Sequence, residues 1–137
     1  MKIIIDTCVI LDYILERDCA DMDRLDKLFA WCIENNSGYI TAKSCCDLHY
    51  ILSSCYHSKA KAIEKMTDVT TIFNVLDTKA EDIKQALKRN MADFEDAVMV
   101  ETAISNEIGV IVTDNIKDYR HQKSVQIVHP NDWSVIE

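Results

Sequence analysis

Glycine, proline and long apolar stretches are all scarce in this chain of 137 residues, which has 2 glycines and 1 proline. So few glycines exclude a glycine-rich phosphate loop and a dinucleotide-binding fingerprint. The shortage of both residues also argues against a turn-rich all-β fold. No apolar run approaches the ~20 residues of a membrane-spanning helix. Asp6 interrupts the first apolar run where a secretory signal would continue. We therefore expect one cytoplasmic domain over residues 1–137, with no membrane partner.

Positive charge is in deficit. The chain has 15 Lys and Arg against 23 Asp and Glu, a formal net charge of −8. The field of the whole protein therefore repels polyanions. The excess acid has two interpretations, which are solvated acidic faces or carboxylates gathered around a divalent metal ion. The positions of the acids decide between them.

The six cysteines form no C-x-x-C pair of the kind that zinc sites and redox motifs use. Without a secretory segment, buried free thiols are expected. Two Cys–His neighbours exist, Cys46 with His49 and Cys55 with His57, but no repeated ligand pair supports structural zinc.

Short apolar runs alternate with amphipathic segments along the chain. Strands are predicted over 2–5, 39–41, 71–75, 110–113 and 126–128, and helices over 7–14, 21–34, 42–56, 58–67 and 93–106. Thr78 and Glu81 form a capping-box pattern for a further helix, Gly109 is expected to end the helix before it, and Pro130 can open a last turn. Such alternation predicts a parallel sheet covered by helices on both faces. The functional crevice of such a fold lies outside the carboxyl ends of the strands.

Acidic side chains occur where these strands end. Asp6 follows the first strand, and the fourth is followed by Asp114 and Asn115, with Asp118 one turn later. The helices beside this edge carry the rest: Asp47 early in the helix after strand two, and Asp93 with Asp96 at the start of the helix before strand four. Carboxylate oxygens are the ligands of Mg²⁺ and Mn²⁺. Ions held in this way can activate water for attack on a phosphodiester.

Four stretches together resemble the signatures of the PIN domain family. They are residues 3–7, 40–48, 93–97 and 112–119, in that order on the predicted elements. PIN domains are metal-dependent ribonucleases and include the VapC-like toxins of bacterial toxin–antitoxin pairs. The resemblance, which runs from Met1 to about Trp133, implies a three-layer α/β/α sandwich with a central parallel sheet of four to five strands.

The resemblance also implies roles for individual residues. Asp6 resembles the first metal ligand and Asp96 the acid of the D-A pair, while Asp47 falls where the family usually has Glu. Asn115 matches the Thr-x-Asp or Thr-x-Asn position, so Asp114, Asn115 or Asp118 supplies the fourth ligand. The remaining expected participants are accessory: Asp93, Thr7 and Thr113. The implied cofactor is Mg²⁺ or Mn²⁺.

RNA is the implied substrate, and a cognate antitoxin protein and a second copy of the chain are the other expected partners. The net charge opposes RNA binding, so local cations must provide it. Four basic residues near the acidic motifs are candidates: Lys43, Arg89, Lys117 and Arg120. A solvated surface is the alternative role for each of them.

Two other functions compete with a metal-dependent ribonuclease. A phosphoryl-transfer domain of the receiver or haloacid-dehalogenase type also has an Asp after strand one, but Asp6-Thr7-Cys8 lacks a second acid and no Lys follows strand five. A non-catalytic PIN-like module that binds RNA or protein remains open because of Asp47 and Asn115. The other Asp residues, among them Asp12 and Asp82, are interpreted as helix caps or solvated charges.

Overall fold

The computed structural model describes residues 1–136, and the side chains of residues 1–133. Glu137, the last residue of the predicted domain, lies outside the described residues. The strands are β1 (Ile3–Ile5), β2 (Gly38–Thr41), β3 (Asn74–Leu76), β4 (Val110–Val112) and β5 (Gln126–Val128). The helices are α1 (Thr7–Ile14), α2 (Met22–Asn35), α3 (Ala42–Tyr56), α4 (Lys59–Ile72), α5 (Ala80–Lys88) and α6 (Phe94–Ser105). Two 3₁₀ segments cover Ile116–Tyr119 and Pro130–Ile136.

The five strands form one parallel sheet in the order β3-β2-β1-β4-β5. Side chains alternate across β1, because successive residues of a strand point to opposite faces. Ile3 and Ile5 pack against the layer that contains α1, α2, α3 and α4, whereas Ile4 packs with residues of α6 on the other face. Helix α5 packs against α6 through Ala86 and Ala97. This arrangement confirms the predicted α/β/α sandwich with a parallel sheet.

Helix α4 is longer than the sequence pattern predicts, and β3 begins correspondingly later. The sequence pattern ends the helix at about residue 67 and begins the strand at residue 71. Instead, the hydroxyl of Thr70 donates to the carbonyl of Met66 at 3.0 Å and that of Thr71 to the carbonyl of Thr67 at 2.8 Å. These bonds to the preceding turn keep both threonines helical.

The capping box of α5 lies one residue later than predicted. The N-cap is Lys79, whose backbone N–H donates to the carboxylate of Asp82 at 2.8 Å. Thr78 instead shares a 2.9 Å hydrogen bond with Thr102 of α6, so α5 is tied to its neighbouring helix at this point. Gly109 does not take a positive φ; Glu107 does, at 58°, after α6 has ended.

Asp12 is not a solvated charge, contrary to the prediction. Its residue is 6% exposed, and its Oδ1 atom is 3.2 Å from the Arg17 guanidinium. Asp12 is one of the buried residues of α1 and lines a cavity together with Asp114, which the sequence pattern alone did not indicate. Among residues 1–136, no helix is both long enough and apolar enough to cross a membrane.

Candidate functional site

A cavity of about 480 Å³ opens at the carboxyl ends of β1, β2 and β4. This is the edge where parallel α/β sheets place their functional crevice. The acidic and amide side chains that line it are Asp6, Asp47, Asp93, Glu95, Asp96, Asn115 and Asp118. The convergence expected from the strand ends is therefore present for most of the predicted residues, and Asp114 is the predicted acid that does not line this cavity.

Asp6 lines the cavity, and two hydrogen bonds hold its carboxylate in place. As the N-cap of α1 it accepts at Oδ1 from the backbone N–H of Thr7 at 2.8 Å, and at Oδ2 from the hydroxyl of Thr113 at 2.8 Å. Burial raises the pKa of Asp6 above its usual value despite these bonds. Each carboxylate oxygen can accept at a second lone pair, so Asp6 keeps acceptor capacity for a cation.

Asp96 stands in the first turn of α6, where Asp93 is the N-cap. The buried Tyr119 donates its phenolic hydrogen to Oδ1 of Asp96 at 3.2 Å. Burial, followed by the negative charge of Asp93, raises the pKa of Asp96 to about 6, with further contributions from Asp6 and Asp118. The carboxyl group of Asp96 is thus fixed in position by Tyr119 and destabilised as an anion by its surroundings.

Of the three candidates for the fourth ligand, Asp118 and Asn115 line the acidic cavity and Asp114 does not. Asp118, in the 3₁₀ segment after β4, is near enough for its charge to raise the pKa of Asp6 and Asp96. Asn115 is exposed and lines the cavity, and its backbone N–H donates to the Thr113 hydroxyl at 3.0 Å. Asp114 turns into a second cavity of about 350 Å³ with Asp12, Arg17 and His129. Burial, followed by a hydrogen bond with Asp12, raises the pKa of Asp114 to about 7.

Asp47 reaches the cavity from α3 but already has a cationic partner. Lys43, one turn earlier, places its Nζ atom 2.5 Å from Oδ2 of Asp47 and 3.3 Å from Oε1 of Glu95 on α6. Lys43 therefore connects the two helices that flank the cavity. Any cation that binds Asp47 directly competes with this ammonium group.

The four basic candidates for RNA contact differ in whether they line the cavity, are exposed outside it, or pair within the fold. Lys43 lines the cavity. Lys117 and Arg120 are exposed in and just after the 3₁₀ segment that carries Asp118, outside the cavity lining. Arg89 pairs with Glu101 of α6 and donates to the Ser124 hydroxyl at 3.2 Å, with only 20% of its side chain exposed. In the structure, Arg89 therefore connects α6 with the segment before β5.

Several lining residues were not singled out from the sequence. They include Arg17, Tyr50, Thr41 and Ser44. The one local signal for Tyr50 is its spacing of three residues from Asp47, which places the two on one face of α3. Arg17 and Tyr119 carry no such signal, because their positions depend on the packing of separate elements.

The donor set of the cavity suits a hard cation. Burial, then the charge of Asp6, raises the pKa of the Cys8 thiol to about 12, so no thiolate is present at neutral pH. The donors of the acidic, amide and hydroxyl side chains in the lining are oxygens, which Mg²⁺ and Mn²⁺ prefer. Within residues 1–136, no three His, Cys, Asp or Glu side chains form a preassembled metal cluster. An ion of the Mg²⁺ type does not need one, because it retains several waters and is commonly bound by one or two carboxylates.

Comparison with known proteins decides the family. The family model described as PIN domain matches residues 2–117. The chain belongs to the PIN domain family. The PIN match covers the stretches that contain Asp6, Asp47, Asp96 and Asn115. No curated protein sequence gives a significant match.

Solved structures share this PIN fold at low sequence identity. VapBC2 from Rickettsia felis, bound to a DNA fragment from its promoter, has a TM-score of 0.74 and 15% identity, over 94% of this chain and 98% of that one. A toxin–antitoxin complex from Klebsiella pneumoniae has a TM-score of 0.67 and 19% identity, over 94% and 98%. VapC20 from Mycobacterium tuberculosis, a sarcin–ricin loop cleaving toxin, has a TM-score of 0.62 and 17% identity, over 91% and 99%.

Proposed function

We propose that this PIN domain is a divalent-metal-dependent endoribonuclease of the toxin type. The observation that carries the proposal is the pair Asp6 and Asp96, two carboxylates with raised pKa values that share one open cavity with Asp118. Burial is the largest cause of both raised pKa values, and the like charges of neighbouring carboxylates destabilise the anions further. A bound divalent cation removes this repulsion, so such a cluster favours metal binding.

Asp6 and Asp96 are the proposed principal ligands, with Asp118 as the fourth acid and Asp47 as a ligand through water or after displacing Lys43. Bound Mg²⁺ or Mn²⁺ supplies an activated water and neutralises charge on the phosphodiester. Thr113 and Tyr119 position the two principal carboxylates through the hydrogen bonds described above. Asn115 can contact the substrate from the exposed rim.

The similar structures support a protein partner as well. They include a toxin–antitoxin complex and a VapBC pair bound to promoter DNA. A cognate antitoxin is therefore the proposed regulator of this chain, and RNA is the proposed substrate because VapC20 is described as cleaving the sarcin–ricin loop. A homodimer and a cytoplasmic location remain part of the same proposal.

The decisive experiment combines calorimetry with cleavage of a labelled single-stranded RNA. Mn²⁺ is expected to bind, to raise the melting temperature and to support cleavage that excess EDTA abolishes, because only the folded state forms the site. Asp6→Asn should lose Mn²⁺ binding and cleavage. The exposed Asp68 on α4 lies outside the cavity lining, so Asp68→Asn is the matched control.

The results separate the two functions that remain. Cleavage that persists in excess EDTA contradicts a metal mechanism. RNA binding without any heat of Mn²⁺ binding favours the non-catalytic module, in which the pairing of Lys43 with Asp47 would stabilise an empty acidic cavity.

A further inference from the structure

Helix α3 carries a continuous polar face that leads away from the acidic cavity. Its members on α3 are Lys43, Asp47, Tyr50 and Ser54, spaced by four, three and four residues, and His57, the C-cap of the helix, follows three residues later. This spacing places side chains on one face of a helix. We call these five residues the α3 track. At 1.5 Å per residue, Tyr50 lies about 10 Å along the axis from both Lys43 and His57.

Tyr50 belongs to two cavities at once. It lines the acidic cavity together with Lys43 and Asp47. It also lines a cavity of about 520 Å³ at the turn between α3 and α4. We call this the α3–α4 cavity. Its other residues are His49, Ser53, Ser54, His57, Ser58 and Lys59.

The two cavities differ in charge. None of the described residues that line the α3–α4 cavity is Asp or Glu, although acids outnumber bases by 23 to 15 in the chain. Its lining offers hydroxyl and imidazole groups and the Lys59 ammonium, which can all donate hydrogen bonds to a phosphate. The α3 track therefore passes from a metal-binding type of surface to an anion-binding type of surface.

The tyrosine between them is unusually accessible. Tyr50 is 77% exposed, the largest exposure among the large hydrophobic residues of the described chain. A single exposed aromatic residue needs no explanation by itself. Its place between an acidic and a phosphate-compatible cavity does point to a role, since aromatic side chains in such grooves serve as platforms for nucleobases.

We propose that Tyr50 stacks on a nucleobase of the RNA strand whose scissile phosphate lies at Asp6 and Asp96, and that the next part of the strand follows the α3 track to the cavity at Lys59. This inference rests on the proposed ribonuclease function. It adds a preference for single-stranded RNA, because bases present their faces only where the strand is unpaired. Tyr50 is a positioning residue, and it contributes no metal ligand.

The test measures binding of a labelled single-stranded RNA in an Asp6→Asn background, in which cleavage should not interfere. Tyr50→Ala should weaken binding about 5- to 150-fold, the range for loss of one base–aromatic stack. Tyr50→Phe keeps the ring and should stay close to the parent. Leu87 on α5 is similarly exposed at 70%, outside both cavities, so Leu87→Ala is the matched control.

A second measurement identifies the stack directly. A 2-aminopurine base placed along the RNA should be quenched at one position by the parent and by Tyr50→Phe, and should regain its fluorescence with Tyr50→Ala. Mn²⁺ affinity, measured with Asp6 unsubstituted, should be the same for Tyr50→Ala and the parent protein. Because Tyr50 is exposed, its loss should change the melting temperature little.

Two results overturn the inference. One is equal RNA affinity of Tyr50→Ala and its parent, including the case in which neither binds; a change of oligomeric state in that case would assign Tyr50 to contact with a second copy of the chain. The other is a Tyr50→Phe defect as large as that of Tyr50→Ala, which would show that the hydroxyl, and not the ring, contacts the RNA. Failure of the ribonuclease proposal is seen separately, in the Mn²⁺ and cleavage assays with Tyr50 intact.

Discussion

Replacing Asp96 by Asn should stabilise the metal-free protein. The substitution removes a carboxylate whose pKa is raised to about 6, chiefly by burial and next by Asp93. It keeps a side-chain oxygen at the position that accepts from Tyr119, and the backbone N–H of residue 96 still donates to Asp93. The change is therefore close to a pure loss of charge.

The magnitude follows from the displacement of the pKa. The shift from 3.8 to about 6 corresponds to roughly 3 kcal/mol of destabilisation of the anion at about 1.36 kcal/mol per pKa unit. Asp96 is only half-buried, so solvent screening reduces this figure. We expect a gain of about 1–1.5 kcal/mol, or about 3–7 °C in melting temperature for a domain of this size.

The stability difference between Asp96→Asn and the parent depends on pH in a defined window. The folded state binds the Asp96 proton more tightly than the unfolded chain, so the stability of the parent falls as pH rises from about 4 through about 6. The advantage of Asp96→Asn should thus be complete at pH 8, smaller at pH 5 and absent near pH 4. In millimolar Mn²⁺ at pH 8 the order should reverse, because only the parent gains from the metal.

Differential scanning calorimetry in EDTA at several pH values measures all of this. Asp68→Asn is again the control, since it removes an equal charge from an exposed position on α4. A lower melting temperature for Asp96→Asn than for the parent in EDTA at pH 8 would refute the reasoning. So would an equal gain with Asp68→Asn, which would assign the effect to net charge.

Three further outcomes follow from the structure. Asp47→Glu should keep or raise cleavage at subsaturating Mn²⁺ and Asp47→Ala should lower it, because the longer side chain regains direct reach to the metal; wild-type activity of the Ala variant would remove Asp47 from the site. Arg89→Ala should destabilise the protein by about 1–3 kcal/mol in urea unfolding, since Glu101 is left unpaired and only 13% of its side chain is exposed; unchanged stability with weaker RNA binding would instead support the surface role. Thr113→Val should cost about 1–3 kcal/mol and weaken Mn²⁺ binding, because Asp6 loses a donor; a variant that matches the parent in both assays would contradict this.

The sequence alone determined the architecture and the edge of the sheet at which the acids gather. Three consecutive isoleucines form a strand that is buried on both faces, and the charged residue that follows must then leave the sheet at its carboxyl end. The predicted helix over 42–56 agrees with α3, and in the structure Thr41 is its N-cap, with the side chain accepting from Ser44 N–H at 3.1 Å. Such features depend on neighbours along the chain, which a sequence displays.

Tertiary structure alone decided which side chains share a cavity. Asp114 and Asp118 are equally plausible as neighbours of Asp6 in the sequence, but the chain after β4 turns Asp114 toward Asp12 and brings Asp118 to the acidic cavity through a 3₁₀ turn. Likewise, Arg89 is a candidate for RNA contact until α6 supplies Glu101 as its partner. These choices depend on the direction of each side chain and on the packing of elements that are distant in sequence, and neither quantity is encoded in residue type or spacing.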